Sequence, residues 1–220
     1  MKTLKKTELK AIPEPTLRRM THYLHLLVKL QERGDIEVAS TYIAQELMLD
    51  STQVRKDIQF TGIVGKPKTG FNIPRLIEAI KSSLSWHTCE DAFLVGAGNL
   101  GAAMLGYDFS QFGINFVAAF DNSPEKIGSR IHGVEVLDIN RLIVLGKLMK
   151  VKVGVLTVPG PIAQQTADLM IEAGIKAIWN FSAQRLKVPK DVIVENAQFS
   201  QSLAVLTRKL AMMKKSMEAY

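Results

Sequence analysis

The chain has 220 residues, of which 47% are hydrophobic, and a formal net charge of +7. That length holds one large domain or two small ones with real cores. A single cysteine, Cys89, excludes an intrachain disulfide framework and fits a reducing, cytoplasmic setting. No apolar run approaches the ~20 residues of a membrane span, and the basic N-terminus lacks the apolar stretch of a signal peptide. The charge is uneven: residues 1–85 carry 14 Lys and Arg against 9 Asp and Glu, residues 86–220 carry 14 against 12. The N-terminal excess favours an anionic partner.

Residues 1–12, with Lys2, Lys5, Lys6 and Lys10, read as a basic arm. Pro13 and Pro15 precede Thr16, where a helix is expected to start. Leu17, Met20, Leu24, Leu27, Val28 and Leu30 then recur at helical spacing up to Gly34. Ser40 is the expected N-cap of a short helix through Leu47. After the brief connector Met48-Leu49-Asp50, Asp50 or Ser51 caps a third helix from Thr52 to about Phe60, with Val54 and Ile58 inward. Ile63-Val64 and Phe71-Asn72-Ile73 suggest a hairpin around Lys66-Pro67-Lys68-Thr69, and Pro74 opens a fourth helix through Leu84.

Three helices with a tight connector between the second and third, followed by a Gly-rich hairpin, describe a winged helix-turn-helix domain over residues 1–85. Its third helix would offer Ser51, Thr52, Gln53, Arg55, Lys56 and Gln59 to the major groove of double-stranded DNA. Amide and cationic side chains pair with base edges, and hydroxyls serve phosphates. Lys66 and Lys68, at the hairpin tip, are placed to reach a flanking minor groove or the backbone. Arg18 and Arg19, early in the first helix, suit phosphates.

From Asp91 the pattern changes. Strand-like runs at 92–95, 115–120, 151–158, 175–179 and 192–195 alternate with helix-like segments at 99–111, 138–149 and 161–173. That alternation predicts a parallel sheet wrapped by helices, a Rossmann-like domain over residues 86–198. A last helix, from Phe199 to about Met217, carries Leu203, Leu206, Leu210 and Met213 on one face, and the basic residues Arg208, Lys209, Lys214 and Lys215.

The first run of this half ends in Gly96-Ala97-Gly98-Asn99-Leu100-Gly101, a G-x-G-x-x-G turn between a strand and a helix. Gly96 permits the tight turn, Gly98 lets the backbone approach a pyrophosphate, and Gly101 lets helix and strand pack closely. Free N–H groups at the helix start then hold the anion. Asp121 lies 20 residues beyond Gly101, at the close of the next run. A carboxylate there takes the adenosine ribose hydroxyls and repels a 2′-phosphate, which favours NAD(H) over NADP(H). Val158-Pro159 and Asn180-Phe181 follow later strands on the side where such sheets bind ligands. An oxidoreductase would also need an acid or base beside the hydride acceptor. No Tyr-x-x-x-Lys pair occurs, and His22, His25, His87 and His132 stand apart from the expected site. No Cys, His and carboxylate cluster suggests a metal. A cofactor site without a proton-transfer partner reads as a sensor rather than an enzyme. An NAD-dependent dehydrogenase with a helical accessory domain is the rival from another class.

The chain resembles the Rex redox-sensing transcriptional repressors over about residues 12–210. The specific stretches are Ile12-Pro13 with Arg19, Gln53-Val54-Arg55-Lys56-Asp57, the Gly96–Gly101 turn with Tyr107, Ala119-Phe120-Asp121 with Pro124-Glu125-Lys126-Ile127-Gly128, Val158-Pro159, Ala173-Gly174-Ile175-Lys176 with Asn180-Phe181, and Val194-Glu195-Asn196. The resemblance implies a homodimer in which the helix of residues 199–220 is exchanged and packs between the partner's domains. It implies an inverted-repeat operator, NADH as the ligand that releases it, and NAD⁺ as a competitor that permits binding. It adds Tyr107, Lys126 and Phe199 to the cofactor's surroundings. His25 stands where an Arg is common in that family, and Gln198 where an Asp is common. A His–Gln contact is weaker than an ion pair, so a DNA-binding relative that holds NAD(H) without responding to it is a further reading.

Overall fold

Apolar side chains at every third or fourth position fold the first segment as α1 (Glu14–Glu32), which buries Met20, Tyr23, Leu24, Leu27 and Leu30. The structure is a computed structural model that describes residues 11–67, 69–197 and 199–218, with side chains of the last helix through Lys214. The basic arm with Lys2, Lys5, Lys6 and Lys10, the wing residue Lys68, Gln198 and the side chain of Lys215 lie outside the described residues. The described residues divide into two compact units between Thr88 and Cys89.

In the first unit, α1 is followed by β1 (Glu37–Val38), α2 (Ser40–Glu46), α3 (Ser51–Gln59), β2 (Phe71–Asn72) and α4 (Ile73–Ser83). Two expected caps differ. The helix α1 begins ahead of Thr16, with Pro15 in its first turn, and Thr16 faces inward. Ser40 is the first residue of α2, and Ala39 holds the cap position without a side-chain bond. Asp50 does cap α3: its carboxylate accepts from the N–H of Thr52 at 2.7 Å and of Gln53 at 3.1 Å. Asn72 caps α4 through the N–H of Arg75.

The expected hairpin between 63–64 and 71–73 does not form. The strand β2 pairs antiparallel with β1 instead, Glu37 opposite Asn72 and Val38 opposite Phe71. The reason is close packing at Gly70, which has φ +89° and whose missing Cβ would lie 2.2 Å from the carbonyl oxygen of Val38. Val64, by contrast, is largely exposed and has no core to face. The wing closes as a short loop in which Lys66 and Gly70 exchange backbone bonds of 2.7 and 2.9 Å.

The second unit runs β3 (Glu90–Val95), α5 (Asn99–Leu105), β4 (Ile114–Asp121), β5 (Arg130–Ile131), β6 (Val134–Asp138), α6 (Leu142–Met149), β7 (Val153–Leu156), α7 (Gly160–Glu172), β8 (Ala177–Asn180), β9 (Ile193–Asn196) and α8 (Phe199–Glu218). The sheet order is β5-β6-β4-β3-β7-β8-β9. All neighbouring pairs are parallel except β5 with β6. From β3 the chain builds outward through β4 and β6, then returns to the other flank of β3 with β7, β8 and β9. That reversal beside β3 is the topological switch point, where doubly wound sheets open a crevice at the carboxyl ends of their strands. One face of the sheet buries Phe93, Val95, Phe120 and Leu156 with Leu142 of α6 and Ala163, Ala167 and Met170 of α7. The other buries Leu94, Ala119 and Val155 with Met104 and Leu105 of α5.

The β5–β6 hairpin is absent from the sequence reading. It turns at His132-Gly133, with φ +48° and +86°, the left-handed pair a two-residue hairpin turn requires. The helical segment expected over 99–111 stops at Leu105, before Gly106, and resumes only as a 3₁₀ turn at Ser110–Phe112.

Candidate functional site

The fingerprint turn opens on a cleft of about 440 Å³, whose lining includes Gly96, Gly98, Asp121, Lys126, Thr157, Val158 and Pro159. Each glycine has its own reason. Gly96 has φ +106°, and a Cβ there would meet Thr157 and Val158 at 2.9 Å. A Cβ on Gly101 would stand 2.1 Å from the carbonyl oxygen of Gly96, so only glycine lets α5 pack against the turn. A Cβ on Gly98 would meet nothing within 4 Å. The space over Gly98 is open, as a backbone approached by an anion requires. The helix α5 starts beneath it without a side-chain cap, so its first N–H groups are free to serve a ligand.

Asp121 ends β4 and is 9% exposed. Its carboxylate accepts the N–H of Ser123 at 2.8 Å and pairs with the Lys126 ammonium at 3.2 Å. The cleft continues over apolar side chains, Ile139 beyond β6 and Ile162 and Leu169 on α7. Sequence reasoning missed these α7 residues, although their spacing of seven puts both on one helix face. A carboxylate beside an apolar slot, with the open backbone of Gly98 on the same cleft, suits an adenosine diphosphate: base in the slot, ribose on Asp121, phosphates over Gly98.

The other expected cofactor residues stand elsewhere. Tyr107, Phe181 and Phe199 do not line the cleft. They belong to a run of rings in which Tyr107 contacts Phe109 at 4.9 Å, Phe109 contacts Trp179 at 5.7 Å, Trp179 contacts Phe181 at 4.5 Å and Phe181 contacts Phe199 at 6.1 Å. Ala97 is buried, while Asn99 and Leu100 point outward at the start of α5. Asn180, also expected at the cofactor, is buried at 1% exposure, and its side chain is spent on the structure. Its amide donates to the carbonyls of Gln184 and Asn196 at 2.9 and 2.8 Å, and its oxygen accepts from the N–H and hydroxyl of Ser182.

In the first unit, α3 exposes Thr52, Arg55, Lys56 and Gln59. Their spacing of three, one and three gathers them on one face. Ser51 is half-buried at the start of the helix, and Lys66 is exposed in the wing loop. Arg18 is exposed and donates to Glu14 at 3.0 and 2.7 Å. Arg19 and Gln53, expected on the DNA face, turn inward to Asp57. That carboxylate is 1% exposed and accepts from Arg19 at 2.6 and 3.0 Å, Tyr23 at 2.6 Å, Gln53 at 2.8 Å and Thr16 at 3.0 Å. Burial pushes the Asp57 carboxyl up, but the bonds from Arg19, Tyr23, Gln53 and Thr16 outweigh it and hold it below the usual carboxylate range. Burial, and then the bond to Asp57, push the Tyr23 hydroxyl well above its ordinary value.

Asp57 was legible in principle: it lies three residues after Val54 and just before Ile58, on the buried stripe of α3. Among the described residues, no group of three His, Cys, Asp or Glu side chains is placed to hold a metal ion, and no helix is long and apolar enough to cross a membrane.

Two family models match. "CoA binding domain" covers residues 89–184, and "Putative DNA-binding protein N-terminus" covers residues 11–58. The chain is 44% identical over 194 residues to a redox-sensing transcriptional repressor Rex of Treponema denticola, spanning 87% of this chain and 92% of that protein. The crystal structure of RSP in complex with NAD⁺ and operator DNA matches 96% of this chain and 99% of its own, at 31% identity and a TM-score of 0.86. The same protein in complex with NADH matches 96% and 100%, at 30% identity and a TM-score of 0.86. With an N-terminal DNA-binding domain, a Rossmann-like domain and this likeness along nearly its whole length, the chain belongs to the family of Rex redox-sensing transcriptional repressors.

Proposed function

We propose that the chain is a cytoplasmic, homodimeric transcriptional repressor that holds an inverted-repeat operator and releases it when NADH occupies the cleft. The observation that carries this reading is the cleft itself. Open backbone over Gly98, the carboxylate of Asp121 and the apolar slot of Ile139 and Ile162 stand together at the switch point, in a chain whose other unit presents Thr52, Arg55, Lys56 and Gln59 on one helix face. A carboxylate at the ribose disfavours a phosphate there, which argues against both NADP(H) and the 3′-phosphate of coenzyme A. We assign Gly96, Gly98, Gly101, Asp121, Lys126, Val158 and Pro159 to the dinucleotide's adenosine diphosphate half, and the rings of Tyr107, Phe181 and Phe199 to its nicotinamide end. On DNA, Arg55, Lys56 and Gln59 read bases, while Thr52, Lys66 and Arg18 serve phosphates. The bound ligand is sensed and not turned over, a reading supported by relatives named as transcriptional repressors.

Release requires the two conformations to bind the ligand unequally. RSP has been crystallised with NAD⁺ on operator DNA and, separately, with NADH, and both pairings support this order of events here. The test is operator binding by fluorescence anisotropy, titrated with NADH and with NAD⁺ separately. NADH is expected to release the operator, and NAD⁺ to leave it bound. Retention of the operator at saturating NADH overturns the sensor reading.

A further inference from the structure

We infer that Thr157 is a positioning residue for the phosphates of the dinucleotide: its hydroxyl fixes the Gly96–Ala97 peptide so that the Ala97 N–H faces the open side of the fingerprint turn. The inference deepens the function proposed above and rests on it.

Thr157 follows the last residue of β7. Its N–H donates to the carbonyl of Val95 at 2.9 Å, carrying the β3–β7 ladder one step past the strand end. Its hydroxyl donates to the carbonyl of Gly96 at 2.7 Å, with the carbonyl of Val95 at 3.1 Å from the same oxygen. A hydroxyl has one proton, and the shorter contact goes to the glycine. Beside the same contact stands Gly101, where a Cβ would lie 2.1 Å from the Gly96 oxygen and 3.1 Å from the Thr157 hydroxyl. Carbonyl, hydroxyl and helix backbone thus share one close-packed spot under the turn.

A trans peptide holds its N–H antiparallel to its carbonyl, and the described residues contain no cis bond. Drawing the Gly96 carbonyl toward Thr157 and Gly101 therefore sends the Ala97 N–H the other way. The ground over Gly98, where a Cβ meets nothing within 4 Å, is where an anion can approach these donors. Thr157 also lines the cleft. A Ser or Thr is needed at this position for its proton. The branched shape alone does not serve, because Val has the same outline and nothing to donate.

The experiment is isothermal titration calorimetry of the full-length protein with NADH, ADP and adenosine, the last by competition. Thr157→Val is expected to weaken NADH and ADP about fivefold to tenfold, the worth of one hydrogen bond, and to leave adenosine nearly unchanged. Thr157→Ser retains most of the affinity, and Thr157→Ala, which leaves strand packing relaxed, shows the same phosphate-selective loss. The inference is overturned if Thr157→Val and Thr157→Ala bind ADP as tightly as the natural chain, if they weaken adenosine as much as ADP, or if Thr157→Ser loses as much as Thr157→Val. A natural chain that binds none of the three ligands overturns the dinucleotide reading, and this inference with it.

Discussion

Asp57 shows how one residue can fix the attitude of a helix. Its carboxylate gathers donors from α1 and α3 onto one buried point, so the exposed face of α3 is set by a bond on its hidden side. Removing one member of a buried pair leaves the others uncompensated. Asp57→Ala is expected to destabilise the N-terminal unit by about 3–5 kcal/mol, read by urea denaturation; an unchanged midpoint would refute the assignment. Because the folded carboxyl sits below its unfolded value, its stabilisation is complete above the ordinary carboxylate pKa of about 4 and is lost as pH falls through the lower folded value. Asp57→Asn is expected to flatten that acid decline. The sequence showed Val54 and Ile58 as a stripe because apolar spacing is local. It did not show that Arg19 and Gln53 turn inward, because the partner that captures Arg19 lies 38 residues away. Types suited to DNA are equally suited to a buried carboxylate.

At the scale of elements, the strand–turn–helix of the fingerprint was legible since its chemistry is carried by consecutive residues. The β5–β6 hairpin was not, because His132-Gly133 lacks the Asn or Asp that usually marks such a turn. The wing was misread for a related reason: Phe71 alternates into a core that β1 provides, 33 residues upstream. The α2–α3 connector has a similar oddity. Met48 has φ +52° and is 93% exposed. A left-handed backbone costs an ordinary residue about 1–2 kcal/mol, and this side chain returns no burial. Met48→Gly is expected to stabilise the N-terminal unit by about 0.5–1 kcal/mol after the added chain entropy of glycine. Thermal denaturation checks it, and a lowered midpoint counts against the turn geometry.

At the scale of the molecule, α8 stands out for its exposed apolar side chains. Leu203, Val205, Leu206, Leu210, Met212 and Met213 are each roughly half exposed along it, an unusual state for so many apolar side chains on one helix. The proposed homodimer covers them. Leu206→Asp with Leu210→Asp is expected to yield a monomer by analytical ultracentrifugation. Such a monomer engages one half-site at a time, so operator affinity is expected to fall by about a hundredfold or more. A variant that remains dimeric would place the interface elsewhere.

The separation between the cleft and the rings has a consequence for what a cell would learn from this protein. The cleft's lining ends at Asp121, Lys126 and the α7 slot, and Tyr107, Phe181 and Phe199 lie off it. On the proposed assignment, the part that grips is blind to oxidation state, since oxidised and reduced dinucleotides share the same adenosine diphosphate half. The two forms therefore exclude one another from every protomer. Once their combined supply fills all the sites, a further rise in supply changes nothing, and only the mixture matters. A repressor built this way reports a quotient and is insulated from growth or starvation of the pool itself.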